Sequence, residues 1–297
     1  MESHGVPGGT LSTVRAVPLE VFPVACTGLC FAVRFADGRE LAHDAGARHP
    51  LSGTGKLVLA CAVARLAGRD AELLGQRLTL TDRHRAGARA GTLRLMSGEL
   101  SLTVEDAMAL IVGTGEAMGV LAVLELLDDR GIDVAAEARD LVAERGLQDT
   151  EITGPETADG TSWGEGLTGW TTPADLCTLL SDLPGPALRW MGAAFEPAGL
   201  ASGLPGFGPR TVPHQTVAGG GRPTGADGSG DDVGAGSPRG WASVLVLPGA
   251  VVAAFLPAEP PAGPDSDDAA DGTALTPLQA SSALGSLGLS AWQDLSA

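Results

Sequence analysis

Arg48-His49-Pro50-Leu51-Ser52-Gly53-Thr54-Gly55-Lys56, with the apolar run Leu57 to Leu66 behind it, is the stretch from which the rest of the chain is read. Lys56 is the only lysine in 297 residues; every other formally charged basic residue is arginine. An ammonium can lose its proton when desolvated, and a guanidinium effectively cannot. A lone lysine at a helix start, beside a hydroxyl cluster, is therefore a candidate for chemistry closed to arginine. Against that stands chance, since one lysine has to fall somewhere. The Gly55-Lys56 pair invites a phosphate-loop reading, which needs glycine five residues earlier and Ser or Thr after the lysine. Those places hold Pro50 and Leu57, so the nucleotide reading fails. If the helix starts near Gly53, Ser52 sits near its N-cap, four residues before Lys56, a spacing that shares a helix face. Ser52 is then either a cap or a nucleophile, while Thr54 points elsewhere.

Composition narrows the classes. The chain is long enough to bury a substantial core as one large domain or two packed ones. A formal charge of −17 with a pI near 4.5 argues against nucleic acid as partner. Residues 1–13 lack a basic segment followed by an apolar one, so no export signal is read. No apolar run approaches a membrane span. A cytoplasmic location is the expectation. Cys26, Cys30, Cys61 and Cys177 form no Cys-x-x-Cys pair and read as buried free thiols. His4, His43, His49, His84 and His214 show no metal-ligand spacing, so no metal and no cofactor is expected. His49 and His214 could converge near Lys56. There is no tyrosine to serve as a base.

Along the chain, Leu29 to Phe35, the turn Asp37-Gly38 and Arg39 to His43 read as a hairpin. The Lys56 helix ends at Gly68, and residues 69–101 are mixed, with a basic cluster from Arg83 to Arg94. Helices follow over 103–112, capped by Thr103, then 117–127 and 134–145. Residues 147–169 read as loop. Thr172-Pro173 opens a helix to Leu183, and Pro186 to Phe195 could add another. Thr211 to Ala218, Trp241 to Leu247 and Val251 to Leu256 read as strands, the last two joined by Pro248-Gly249. Residues 257–275 form an acidic linker, and Pro277 to Leu295 an amphipathic helix. The order predicts an α+β fold, an α/β sandwich: one antiparallel sheet from N- and C-terminal strands, covered by helices, with an inserted all-helical lobe. Residues 1–28 form a leader, 29–52 with 205–297 the sheet unit, and 53–204 the lobe. A small-molecule cleft is expected where lobe meets sheet.

That layout resembles the class A β-lactamases and related penicillin-binding transpeptidases. The carriers are Ala32-Val33-Arg34-Phe35-Ala36-Asp37-Gly38, Lys56-Leu57-Val58-Leu59-Ala60, the run Leu110 to Ala117, Thr171-Thr172-Pro173-Ala174-Asp175-Leu176, Val217 to Gly221 and Asp232-Val233-Gly234. The resemblance implies Ser-x-x-Lys, Ser-Asp-Asn and Lys-Thr-Gly: a serine nucleophile, a second serine that shuttles protons, and a strand that docks the substrate carboxylate. Here Gly53 stands three before Lys56. The second motif reads Gly113-Thr114-Gly115 or, shifted by one, Thr114-Gly115-Glu116. The third is Gly219-Gly220-Gly221, with no cation until Arg222. No Glu-x-x-Leu-Asn occurs over 147–169, so no deacylating base is assigned.

Three readings stay open. In one, the chain is a degenerate, non-hydrolytic member that binds a small molecule, with Gly53, Thr54, Thr114, Gly220, Gly221, Arg222 and Trp163 lining its cleft. In another, it is an enzyme with altered chemistry. Ser52 then replaces the nucleophile, or Lys56 acts as general base in a biosynthetic pathway with Glu116 as acid. In the third, a nearly conventional serine hydrolase uses Ser52 or Thr54. The plainer alternatives are Glu116 as a first-turn residue stabilised by the helix dipole, Arg222 as a solvated loop residue, and Trp163 and Trp170 as core.

Overall fold

The computed structural model describes residues 14–16, 28–157, 162–194, 199–204, 213–219, 240–257 and 277–296. In chain order these residues form β1 (Val14–Ala16), β2 (Cys30–Phe35), β3 (Glu40–His43), β4 (His49–Pro50) and α1 (Gly55–Arg69). Next come β5 (Arg77–Leu80), α2 (Asp82–Gly87), β6 (Leu100–Thr103), α3 (Val104–Thr114), α4 (Ala117–Asp129) and α5 (Val134–Glu144). β7 (Glu151–Pro155), β8 (Leu167–Thr171), α6 (Pro173–Leu180) and α7 (Gly185–Met191) follow. The last elements are β9 (His214–Gly219), β10 (Gly240–Leu247), β11 (Ala250–Pro257) and α8 (Pro277–Ser296).

The main sheet has the order β1-β3-β2-β11-β10-β9, antiparallel except for the β1–β3 edge pair. Terminal strands thus share one sheet, as the element order predicts. Val14–Ala16 were read as leader; they instead add a parallel edge strand opposite Glu40–Ala42. Because strand side chains alternate between faces, β11 serves two cores. Val251, Ala253 and Phe255 face the helical lobe, and Val252, Ala254 and Leu256 face α8. The α8 backbone lies so close to the turn Gly199–Gly203 that a Cβ at Gly288 would overlap the Leu200 carbonyl oxygen.

Local signals place the lobe helices. Thr103 accepts the Asp106 amide at 3.0 Å, Asp133 accepts that of Ala136 at 2.9 Å, and Thr172 accepts that of Asp175 at 3.2 Å. Each satisfies a first-turn donor that no helical carbonyl can reach. Gly115, with φ 74°, ends α3 in the left-handed conformation. Helix α1 is the axis of the lobe: Leu57 to Val63 are all within 1 % of full burial. Each large apolar side chain in it contributes about 1.5–3 kcal/mol.

Two stretches differ from the sequence reading. Residues 147–169 contain β7 and the start of β8, which form a hairpin that β4 joins in the order β4-β8-β7. It is held by Thr153–Thr168 and by Thr168 donating to the Gly154 carbonyl, each at 3.0 Å. Within 69–101, β5 pairs with β6 around α2. Trp163 and Trp170 are 39 % and 43 % exposed and so do not pack into the core. Cys30, Cys61 and Cys177 are free and buried, and burial pushes their thiols up to about 11, 12 and 12. Cys26 lies outside the described residues.

Candidate functional site

The chain enters α1 through a tight turn. Leu51 is fully buried, and its carbonyl accepts the Thr54 amide at 2.9 Å and the Thr54 hydroxyl at 2.5 Å. Ser52 has φ 45°, a left-handed conformation that a non-glycine residue keeps only where its surroundings impose it. Residues Ser52–Thr54 form a 3-10 turn, and the α-helix begins at Gly55. The expected cap role is therefore corrected: Ser52 does not cap α1, and its spacing to Lys56 does not run along one helix face. Gly53 is buried within the turn.

Lys56 is 2 % exposed. Desolvation lowers its ammonium from the ordinary range to about 8, while Glu156, Glu165 and Glu116 pull the other way. No hydrogen bond to Nζ is made among the described residues. A Cβ built on Gly115 would stand 3.0 Å from Nζ and meet no other heavy atom within 4 Å among the described residues. Thr114 does not face the lysine, because its hydroxyl donates back to the Leu110 carbonyl at 2.8 Å within α3. The residue aimed at Lys56 is thus Gly115. By that direction the second motif would read Gly115-Glu116-Ala117, one residue beyond the shifted framing from sequence and two beyond the first.

Glu116 is 1 % exposed. Its carboxylate accepts the Thr92 amide at 2.7 Å, the Thr92 hydroxyl at 2.6 Å and the Leu93 amide at 3.2 Å. It also does not cap α4 with its side chain. Its work is to anchor the 92–93 segment beside Lys56, and Gly91, at φ 87°, leaves room for the carboxylate. We expect Glu116→Ala to strand two backbone amides and cost about 2 kcal/mol, read as a shift of the urea midpoint at unchanged slope. A midpoint equal to the parent's would contradict the anchor role.

The β7–β8 connection covers α1. Glu156 accepts the amides of Trp163 at 2.6 Å, Gly164 at 3.2 Å and Gly166 at 3.1 Å, and donates its own amide to the Gly166 carbonyl at 2.7 Å. This nest holds Glu165, between two positive-φ glycines, near enough to Lys56 for the two charges to interact. Burial first, then Glu156, raises the Glu165 carboxyl to about 7, with Lys56 opposing. The loop backbone lies on the helix start: a Cβ at Gly166 would be 3.1 Å from the Lys56 Cα. Near neutral pH one proton can reside on either Lys56 or Glu165, an arrangement suited to proton transfer.

Lys56 is legible in the sequence; Glu156 and Glu165 are not, because the loop lacks Glu-x-x-Leu-Asn, and the Gly164-Glu165-Gly166 triplet is the one local signal. His49 stacks on the Phe255 ring at 4.6 Å between centroids, and its burial lowers its pKa. His214 is buried in β9 opposite Leu245. Trp163 lines an open cleft of about 420 Å³ with Ala86, Ala88, Arg89 and Arg94. Gly220, Gly221 and Arg222 lie outside the described residues.

Comparison with known proteins gives the family and the fold. The model of the beta-lactamase enzyme family matches residues 24–189. The chain belongs to this family. Among solved structures, "Structure of PBP-A" superposes with a TM-score of 0.64 at 18 % identity, covering 97 % of this chain and 99 % of that one. A β-lactamase from Chitinophaga pinensis gives 0.64 at 15 % identity over 92 % and 95 %. One from Sphaerobacter thermophilus gives 0.62 at 17 % over 92 % and 94 %. At these identities the likeness is one of fold. No curated protein sequence matches. Among the described residues of this β-lactamase-like chain, no helix is long and apolar enough to cross a membrane.

Proposed function

We propose that this β-lactamase-like chain binds a small molecule in the cleft between sheet and helical lobe and does not run the serine acyl-enzyme cycle. One observation carries the reading: both hydroxyl positions around Lys56 are glycine. Gly53 stands three residues before the lysine, and Gly115 is aimed at Nζ from the end of α3. An acyl-enzyme needs a hydroxyl that the lysine can activate, and neither position supplies one. Removing those side chains also widens the space available to a ligand.

The opposed environments of Lys56 and Glu165 favour a second reading, in which Lys56 takes a proton from a bound substrate and Glu165 returns one. Pairs of titratable groups pushed in opposite directions are the usual basis for acid and base assignments.

Intact-protein mass after incubation with a reactive penicillin tests the primary reading. An unchanged mass is expected for the parent, for Ser52→Ala and for Lys56→Ala. A mass increase in the parent that both substitutions abolish would establish acyl transfer through Ser52 and end the binding reading.

A further inference from the structure

We propose that Lys56 captures a carbonyl compound, an aldehyde or ketone, as an imine on Nζ, in the space left beside it by Gly115. The proposal rests on the binding reading above and names the chemical class of ligand for that site.

Three observations on different elements support it. First, the side chain is all but enclosed, yet its nitrogen has no hydrogen-bond partner among the described residues. Nζ is not one of the fully enclosed unpaired atoms of the described residues, so it keeps an opening through which a ligand atom can reach it. Second, the position a Cβ would take on Gly115 lies 3.0 Å from Nζ and, beyond Gly115's own chain neighbours, meets no other atom within 4 Å among the described residues. A substituent on the nitrogen would extend into the position that a side chain at Gly115 would otherwise take. Third, Gly53 and Gly115 leave this amine no serine hydroxyl to deprotonate at either motif position. Its lone pair is then the nucleophile presented to the cleft, as desolvated lysines are towards carbonyl carbon.

The charged groups facing Lys56 fit the chemistry. Glu116 is tied to the backbone amides of Thr92 and Leu93 and Glu156 to those of the β7–β8 connection, and Glu165 is left to exchange a proton. Neutral Nζ attacks the carbonyl carbon; a C–N bond forms and the carbonyl π pair moves to oxygen, which takes a proton from Glu165. The nitrogen gives a proton back to the Glu165 carboxylate. The hydroxyl then leaves as water with a second proton from Glu165, and the remaining N–H proton restores that carboxyl. Amine and carbonyl become imine and water, with no change in oxidation state.

The single lysine makes the test unambiguous. Full-length folded protein is incubated at pH 7 with propionaldehyde and sodium cyanoborohydride, which reduces an imine to a stable secondary amine. Digestion and mass spectrometry then follow alkylation of the Lys56 peptide. The same reaction is run on the chain unfolded in urea, where the lysine is exposed and ordinary. Folded Lys56 is expected to react faster than unfolded Lys56, on the order of 100-fold, from the larger neutral fraction of its amine. Alkylation no faster in the folded chain would overturn the proposal. A parallel penicillin incubation separates the two claims. A penicillin adduct on a hydroxyl refutes the binding reading and the imine proposal built on it. Neither adduct nor faster alkylation refutes the imine alone.

Discussion

Gly55→Ala is expected to cost at least about 3 kcal/mol, whereas Gly68→Ala in the same helix is expected to raise stability by about 0.5–1 kcal/mol. The two glycines differ only in what they face. A Cβ at Gly55 would overlap the Leu167 carbonyl oxygen and stand 2.7 Å from that of Glu165. Both are backbone atoms, one in the covering loop and one at the start of β8, so neither can swing aside as a side-chain end could. At Gly68 nothing lies within 4 Å, and alanine gains the ordinary helix preference. Urea unfolding of both variants reads the effect. If Gly55→Ala unfolded within 0.5 kcal/mol of the parent, on the order of a neutral surface change, the loop would not lie on the helix start. The same substitution has a functional side. Pushing Glu165 and its neighbours off α1 lets water reach Lys56, and its pKa should climb back towards the ordinary value.

Lys56→Met is expected to stabilise the protein at pH 7 by roughly 3 kcal/mol, at 1.36 kcal/mol for each unit by which the amine is depressed. Methionine fills a similar apolar path without a buried charge. The sign follows from linkage. The folded-state pKa, about 8, lies below the ordinary 10.5, so below pH 8 both states are protonated and the folded chain bears the full cost of burying the ammonium. Between pH 8 and 10.5 the unfolded chain binds more protons, and parental stability rises. The gain from Lys56→Met should therefore be largest below pH 8 and vanish near pH 10.5. Glu165 behaves in the mirror sense. Its carboxyl is raised from 4.5 to about 7, so its contribution falls as pH climbs through that window. Thermal unfolding of the parent and Lys56→Met at pH 7 and pH 10 checks this. A variant less stable than the parent at pH 7 would show that the lysine is well paired.

Much of the frame was legible because its signals are local. The Asp37-Gly38 turn, the Thr103 and Thr172 caps and the Pro248-Gly249 turn fix where elements begin and end, and their order fixes which strands share the sheet. Lys56 stood out by being alone. What the sequence hid depends on contacts between distant segments. β7 and β8 carry too little alternation to announce themselves, and their pairing relies on threonine contacts across the hairpin. Glu156 gains its role from three amides that come to it only once the loop closes. Ser52 illustrates a boundary effect: two residues' difference in the helix start removes the shared face that the spacing implied. Gly115 could not be separated from Thr114 by motif spelling, since only the direction of its missing Cβ identifies it.

Lys56 is a buried amine with no hydroxyl partner among the described residues, and it is expected to lose its proton near neutral pH. Because there is one lysine, protein labelled with ¹³C,¹⁵N-lysine gives a single side-chain signal, and its chemical shift against pH reads the ionisation directly. The expected midpoint is about 8, with a shift back towards the ordinary range in Gly55→Ala. A midpoint in the parent at about 10 or above, the range of a solvated or ion-paired lysine, would contradict it.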